Sequence, residues 1–303
     1  MLEQLKRKRL QKPDLLSYQS PCLKEITWGT DWVSTAQFNQ IFKLPAPRTI
    51  KKIKEIPQFF EAPRLYPTST LGVVYNLIYC PIGTFEFEWS EPDEGRYSSS
   101  IKEIKKPFLL GETEVTRALY FTVMGLTDTP EYEALDSQVA ISDRSVSSYL
   151  LFCNRLSELH GLDPCYDVKE RHFDSTKNGY RLPTAEEWQY AAKADTENRY
   201  AGTNDLKKVK DYAIYSTDKK YLNSPQIVKQ KKPNEWGFYD MIGNVLEFVH
   251  TQDLFTDDSK LCFGGSYETM NQNNLYDHGI GRVYFRWGSR DKEIGIRIAR
   301  NLR

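Results

Sequence analysis

A chain of 303 residues is long enough for one large domain or a domain with an extension. Its 41 basic residues balance 41 acidic ones, which excludes a general attraction of the whole molecule to nucleic acid or an anionic membrane. No stretch approaches the roughly 18–20 apolar residues of a membrane helix.

The balance hides an asymmetry. Residues 1–70 carry 12 Lys/Arg against 6 Asp/Glu, so the rest of the chain is net acidic. The 19 Tyr, 15 Phe and 6 Trp suit a dense core and a recognition surface of rigid amphipathic rings. The basic segment Met1–Lys12 is followed by no apolar stretch of the kind a secretion signal carries. The cysteines Cys22, Cys80, Cys153, Cys165 and Cys262 are odd in number and lack paired spacing. Both features predict a reducing, cytoplasmic setting.

In chain order, residues 1–20 read as a basic tail. Residues 6–12 give it at most a weak affinity for nucleic acid or an acidic partner. Prolines at 21, 45, 47, 57, 63 and 67 break regular structure through residues 21–70. Trp28, Trp32, Phe38, Phe42, Phe59 and Phe60 make that stretch too apolar for a disordered linker. Residues 1–70 are therefore predicted to form a basic, proline-interrupted N-terminal extension, and residues 71–303 the main domain.

Val73–Tyr79 predicts a strand, and Pro81–Phe87 a turn and a second strand with Phe85 and Phe87 on one face. The polar stretch Ser90–Lys106 reads as a loop, and Phe108–Leu110 as a short strand. Thr116 is the expected N-cap of a helix over Arg117–Met124. Ser142–Leu159 predicts an amphipathic helix with Val146, Leu150, Leu151, Cys153, Leu156 and Leu159 inward. Thr184 and Glu187 form a capping-box pattern ahead of a helix that packs through Trp188, Ala191 and Ala192. Residues 195–235 read as loops. Few long helices and many short strands predict an α+β domain.

Five ordered blocks stand out. They are Phe108–Thr116 (FLLGETEVT), Tyr180–Ala192 (YRLPTAEEWQYAA), Asn234–Phe248 (NEWGFYDMIGNVLEF), Phe263–Tyr267 (FGGSY) and Gly295–Arg300 (GIRIAR). In this order they resemble the formylglycine-generating enzyme, or sulfatase-modifying factor, family over about residues 72–303. The resemblance implies a loop-rich C-type-lectin-like fold of the formylglycine-generating-enzyme type. Trp188 and Trp236 are expected to anchor the core. Arg181, Arg297 and Arg300 are expected to meet buried carboxylates such as Glu187 or Glu247.

The family oxidase binds copper(I) through two cysteines, placed three and eight residues after the Gly-Gly-Ser serine. Here Ser266 is retained, but those positions hold Thr269 and Asn274. Hydroxyl and amide oxygens do not replace soft thiolates, so no copper is expected. Cys262 reads as a buried strand residue. The related sulfoxide synthases hold iron with histidines of an N-terminal domain. Residues 1–70 have no histidine, and His160, His172, His250 and His278 are scattered. Asn244 and Glu247 offer two hard oxygens three residues apart, and family members bind calcium with this segment. Asp211 marks the neighbourhood of a second family calcium site. Calcium is thus a possible structural cofactor.

The expected function is non-catalytic recognition of a protein or other ligand through the 268–287 surface. Its residues are Ser266, Glu268, Thr269, Asn271, Asn273, Asn274, Tyr276 and Asp277, followed by Tyr284, Arg286 and Trp287. Asn and Tyr give adaptable hydrogen bonds and rigid contacts, and Arg and Trp often anchor interfaces. The pattern also resembles the variable proteins of diversity-generating retroelements, which use this fold and place binding residues in this interval. Two alternatives stand beside it. One is a structural or regulatory subunit of a larger bacterial assembly. The other is an oxidoreductase of the family with an altered metal site.

Overall fold

The computed structural model describes residues 65–91, 96–127, 136–217, 220–255, 260–269, 282–283 and 291–302. The N-terminal residues to 64, including the tail at 6–12, lie outside the described residues.

The first sheet opens with β1 (Leu65–Thr70) and β2 (Val73–Cys80), an antiparallel hairpin. Its turn is Leu71–Gly72, both at positive φ, the two-residue geometry that matches strand twist. β1 therefore lies ahead of Leu71, where the sequence reading opens the domain. Pro67 hid it: proline is tolerated on a sheet's edge, and β1 is the edge strand. The sheet runs β1, β2, then β5 (Phe108–Gly111), β13 (Ala299–Asn301) and β8 (Tyr180–Arg181). The C-terminal strand thus fills the interior of a sheet begun by the first strand of the domain. Leu77, Leu109, Leu110 and Ala299 are fully buried there.

Ser90–Lys106 is not a loop. β3 (Gly83–Glu91) and β4 (Arg96–Ile104) form a long antiparallel hairpin, from Gly83 opposite Ile104 to Glu91 opposite Arg96. The serines at 98–100 are exposed, so this strand shows no apolar alternation at its middle. Among its described side chains, Phe87 and Ile104 are buried. Phe85 meets Phe87 edge-on at 6.2 Å, which is the shared face expected of them.

Among the described residues, three helices pack on these strands. The first, α1 (Arg117–Met124), starts at Thr116, whose hydroxyl accepts from Leu119 N–H, and ends at left-handed Gly125. The second, α2, spans Val146–Leu159 with Ser145 as N-cap, so it begins later than the pattern from Ser142 suggested. Its inner face is Val146, Tyr149, Leu150, Phe152, Cys153, Leu156 and Ser157. Leu151 and Leu159 instead point outward, 48% and 44% exposed, because each sits off the stripe set by its neighbours. The third, α3 (Ala185–Lys193), has the capping box that Thr184 and Glu187 predict.

α3 also seals the hairpin. The Gln189 amide donates to Glu88 O at 2.7 Å and its carbonyl accepts from Glu88 N–H at 2.9 Å, like a neighbouring strand. Lys193 pairs with the Glu88 carboxylate at 2.6 Å. Trp188 is buried and stacks on Phe263 at 5.2 Å. Trp236 is half-buried and meets Tyr190 edge-on at 4.9 Å. Short β6 (Tyr166–Asp167) and β7 (His172–Phe173) pair beside α2, which puts His172 in a strand.

The second sheet has the order β11 (Arg282–Val283), β10 (Lys260–Phe263), β9 (Leu246–Phe248), β12 (Ile294–Ile296). The β9–β12 pair is parallel and the others antiparallel. The described residues of 195–235 hold the 3-10 turn Leu206–Asp211 and isolated bridges such as Tyr200 with Thr203 and Ile214 with Gly243. Among the described residues, no helix is long and apolar enough to cross a membrane.

Two histidines predict an acid response. His160, at the end of α2, bonds Thr70 Oγ1 through Nε2 at 2.6 Å. Burial, then Arg300, lowers its pKa to about 4. Burial, then Arg181, lowers His250 to about 4, and His250 packs on Phe173 at 4.0 Å. A pKa below its unfolded value means that the folded state resists protonation. This contribution is complete above about pH 6.5 and is lost as pH falls toward 4. Urea titrations at pH 7 and pH 4.5 should therefore show a smaller loss of stability in His160→Gln than in the unmodified chain.

Candidate functional site

The site is built where two turns lock together. Gly264 and Gly265 follow β10 at φ 99° and 73°, and Gly243–Asn244 precede β9 at 78° and 59°. Gly243 N–H donates to Gly264 O at 2.7 Å, and Tyr267 N–H to Asn244 O at 2.8 Å. A Cβ on Gly264 would sit 3.4 Å from the Trp188 ring, so that turn rests directly on α3.

Within Ser266–Thr269 the chain bonds to itself. Ser266 N–H donates to Thr269 Oγ1 at 3.1 Å, and Thr269 N–H returns to Ser266 O at 3.2 Å. The Ser266 hydroxyl donates to Glu293 Oε2 in a short bond and accepts from Glu268 N–H at 3.2 Å. Asp291 Oδ1 accepts from Glu293 N–H at 2.7 Å. Ser216 braces the turn from outside: its hydroxyl donates to Tyr267 O at 2.8 Å and its N–H to Thr269 O at 3.1 Å. Burial, then the charges of Glu268 and Asp291, raise the Glu293 carboxyl above its ordinary range.

The structure thus brings Ser266, Glu268 and Thr269 together and adds Asp291, Glu293 and Ser216, which the sequence reading missed. Asp291 and Glu293 lie more than twenty residues beyond the turn, and no local pattern ties them to it. Asn271, Asn273, Asn274, Tyr276, Asp277, Tyr284, Arg286 and Trp287 lie outside the described residues.

Beneath the turn is a buried polar layer. Arg297 Nη2 donates to Glu247 Oε1 at 2.7 Å and Nε to Oε2 at 3.0 Å. Trp188 Nε1 donates to the same Oε2 at 2.6 Å. Arg297 also donates to Gly111 O and Tyr239 O, both at 2.9 Å, and is wholly buried. Arg181 pairs with Glu187 at 2.6 Å, as anticipated. Arg300 donates from Nε to the Asn178 carbonyl at 3.0 Å.

The side-chain oxygens of Asn244 and Glu247 meet protein donors. Asn244 occupies a left-handed turn and Glu247 the strand that follows it. Asn244 Oδ1 accepts from Gln226 N–H at 2.8 Å, and its Nδ2 donates to Glu114 Oε2 at 3.1 Å. Both Glu247 oxygens accept from Arg297. Asp211 is elsewhere, paired with Lys232 at 3.4 Å near the surface. Among the described residues, no group of three or more His, Cys, Asp or Glu side chains is arranged to hold a metal. Burial, then Asp240 and Glu247, hold the Glu114 carboxyl well above the ordinary range. Burial pushes Asp240 up to about 6.

Cys262 is fully buried in β10, and burial pushes its thiol well up, so it has little thiolate character. Cys153 is fully buried in the inner face of α2.

Comparison with known proteins agrees with the architecture. The family model for the sulfatase-modifying factor enzyme 1-like domain matches residues 64–302. A curated relative, "Chaperone protein LppX" of Paenibacillus barcinonensis, is 30% identical over 176 residues. That match covers 46% of this chain and 61% of the relative, so the chain spans less than two thirds of the relative's length. Among solved structures, Treponema denticola variable protein 1 superposes with a TM-score of 0.65 at 24% identity. The match covers 80% of this chain and 100% of that one. CarF gives a TM-score of 0.58 at 21% identity, with 76% and 99% covered. PvdO from Pseudomonas aeruginosa gives 0.56 at 19%, with 75% and 94% covered. At these identities the structural likeness is one of fold.

Proposed function

Because the chain belongs to the family of sulfatase-modifying factor enzyme 1-like domains, we propose that it is a non-catalytic binding protein built on that scaffold. It recognises a protein partner through the Ser266–Thr269 turn and the 268–287 surface that continues from it.

Thr269 carries this reading. It stands where the family oxidase places its first thiol, and its hydroxyl accepts the Ser266 N–H that holds the turn closed. A hydroxyl committed to a backbone donor is a poor ligand for soft copper(I). The nearby thiol, Cys262, is sealed in a strand. A scaffold that keeps its fold while its site changes is a common route to a new function. Two likenesses favour recognition: the Treponema structure is of a variable protein, and the LppX relative is named a chaperone.

The test has two arms. Copper-supplemented protein, given a cysteine peptide, should consume no oxygen above background and yield no aldehyde; turnover would overturn the proposal. Affinity capture with mass spectrometry should recover a partner with the full chain. That partner should be lost from an N271A/N273A/Y276A/W287A variant with an unchanged thermal melt. Retention of the partner by the folded variant would move recognition to another surface.

A further inference from the structure

The β3–β4 hairpin is a sheet of two strands. Two strands alone are marginal in water and need a third strand or other cover. On one side α3 gives that cover. The Gln189 side chain engages both the N–H and the C=O of Glu88, so these groups point away from β4. In an antiparallel pair, opposite residues turn their backbone groups either toward each other or both away. Ser99 lies opposite Glu88, so its N–H and C=O turn outward too, on the far edge of β4. The same phase recurs at Ile101, opposite Glu86, and at Glu103, opposite Thr84. Among the described residues, no hydrogen bond engages the outward backbone groups of Ser99, Ile101 or Glu103.

Edge strands are commonly blunted by proline or by a bulge. β1 has Pro67 on its edge. β4 has no proline, and its register with β3 runs from Gly83–Ile104 to Glu91–Arg96 without a break. Side chains give this regular edge a specific chemistry. Ser99, Ile101 and Glu103 share one face of the ribbon with their cross-strand neighbour Glu86. Ile101 is 73% exposed, and Glu86 and Glu103 are exposed beside it. Neither carboxylate has an ion-pair partner among the described residues. Lys102 faces the other way, over the Phe87 ring at 5.8 Å.

We propose that the β4 edge takes an extended segment of a protein partner as a third strand, with a β-branched residue opposite Ile101 and a lysine or arginine opposite Glu103. The outward N–H and C=O groups of Ser99, Ile101 and Glu103 supply the main-chain bonds, and the side chains on the exposed face supply the selection. A branched residue adds contact with Ile101, and a basic one answers Glu86 and Glu103. A second copy of this chain fits less well. Antiparallel self-pairing of β4 would gather Glu86 and Glu103 of both copies on one face, and like charges across strands are destabilising. This edge does not use the Ser266–Thr269 turn, so the inference goes beyond the binding reading above.

The probe is acetyl-Thr-Lys-Thr-Val-Thr-Lys-Thr-amide, added to the full chain. Its sequence reads the same in both directions, so valine can meet Ile101 and a lysine can meet Glu103 in either strand orientation. One control replaces both lysines with glutamate, and another carries an N-methyl group on the valine. Hydrogen exchange followed by NMR should slow at the Ser99, Ile101 and Glu103 amides as the peptide saturates. The acidic and N-methylated peptides should each bind at least tenfold more weakly. Glu103→Lys should weaken the basic peptide at least tenfold. Ile101→Pro should remove binding without loss of a β3–β4 bond, because that N–H points away from β3.

Equal binding of the acidic peptide would overturn the charge assignment, and equal binding of the N-methylated one would overturn strand addition. Unchanged exchange at the three amides under saturating peptide would overturn the inference outright. Slowing that follows protein concentration without peptide would assign the edge to a second copy instead. Slow exchange in the dilute, unliganded chain would show the edge already taken, and would also overturn the proposal. The peptide series on the unmodified chain decides the matter even if a variant fails to fold. None of these outcomes alters the capture experiment on the 268–287 surface.

Discussion

Replacing Arg297 with methionine should destabilise the domain by about 3–5 kcal/mol, the usual cost of stranding one member of a buried ion pair. The guanidinium is fully buried and gives Glu247 three of its hydrogen bonds, while also holding the carbonyls of Gly111 and Tyr239. Without it, Glu247 keeps only the Trp188 indole N–H and must either stay charged in an apolar interior or take up a proton. Adding Glu247→Gln removes the stranded charge, so the double variant should recover part of the loss. Urea titration of the unmodified chain, both single variants and the double variant measures the coupling. A single-variant loss below about 1 kcal/mol would show that the pair is not a principal support, since losses of that size are typical of exposed pairs.

Gly243→Ala should cost about 2–5 kcal/mol, combining the penalty for a left-handed side-chain-bearing residue with overpacking. Gly243 lies at φ 78°, and a Cβ there would collide with the Ile214 backbone, first with its carbonyl oxygen. The backbone must shift, because the obstacle is main chain and not a flexible side-chain tip. The displacement lands on the candidate site, since Gly243 N–H holds Gly264 O and the next residue holds Tyr267 N–H. Partner capture should therefore fall further than the loss of folded protein alone explains. Comparing capture at matched folded fraction tests that coupling. A variant with undiminished stability would show that the two turns are not rigidly joined.

Much of the fold was legible where local rules act. Thr184 and Glu187 announce a capping box, and the helix begins there. Thr116 caps its helix as its residue type suggests. The ordered blocks around Trp188, Gly264 and Arg297 identify the family, and those residues meet in the folded core. The β3–β4 hairpin escaped because Ser98, Ser99 and Ser100 are all exposed and carry no alternation to read. β1 escaped because Pro67 argues against a central strand but not against an edge.

The site was legible in part for the same reason. Ser266, Glu268 and Thr269 are neighbours in sequence and share one turn. Glu293 reaches that turn because β12 runs parallel to β9, a pairing that local spacing does not encode. Sequence spacing shows that the oxygens of Asn244 and Glu247 are near each other. It does not show that Arg297, fifty residues away from Glu247, occupies the carboxylate.

The position of the last strand also constrains how the domain is made. Ala299–Asn301 lies between Phe108–Gly111 and Tyr180–Arg181, with Ala299 opposite both Leu110 and Arg181. During synthesis, neither neighbour has its central companion until the end of the domain has left the ribosome. A chain interrupted before Ala299–Asn301 is made has two strand edges facing an empty slot, an invitation to aggregation and to quality-control proteases. Closing a sheet across so long a stretch of chain is also intrinsically slow, so maturation of the domain should be timed by the arrival of Ala299–Asn301.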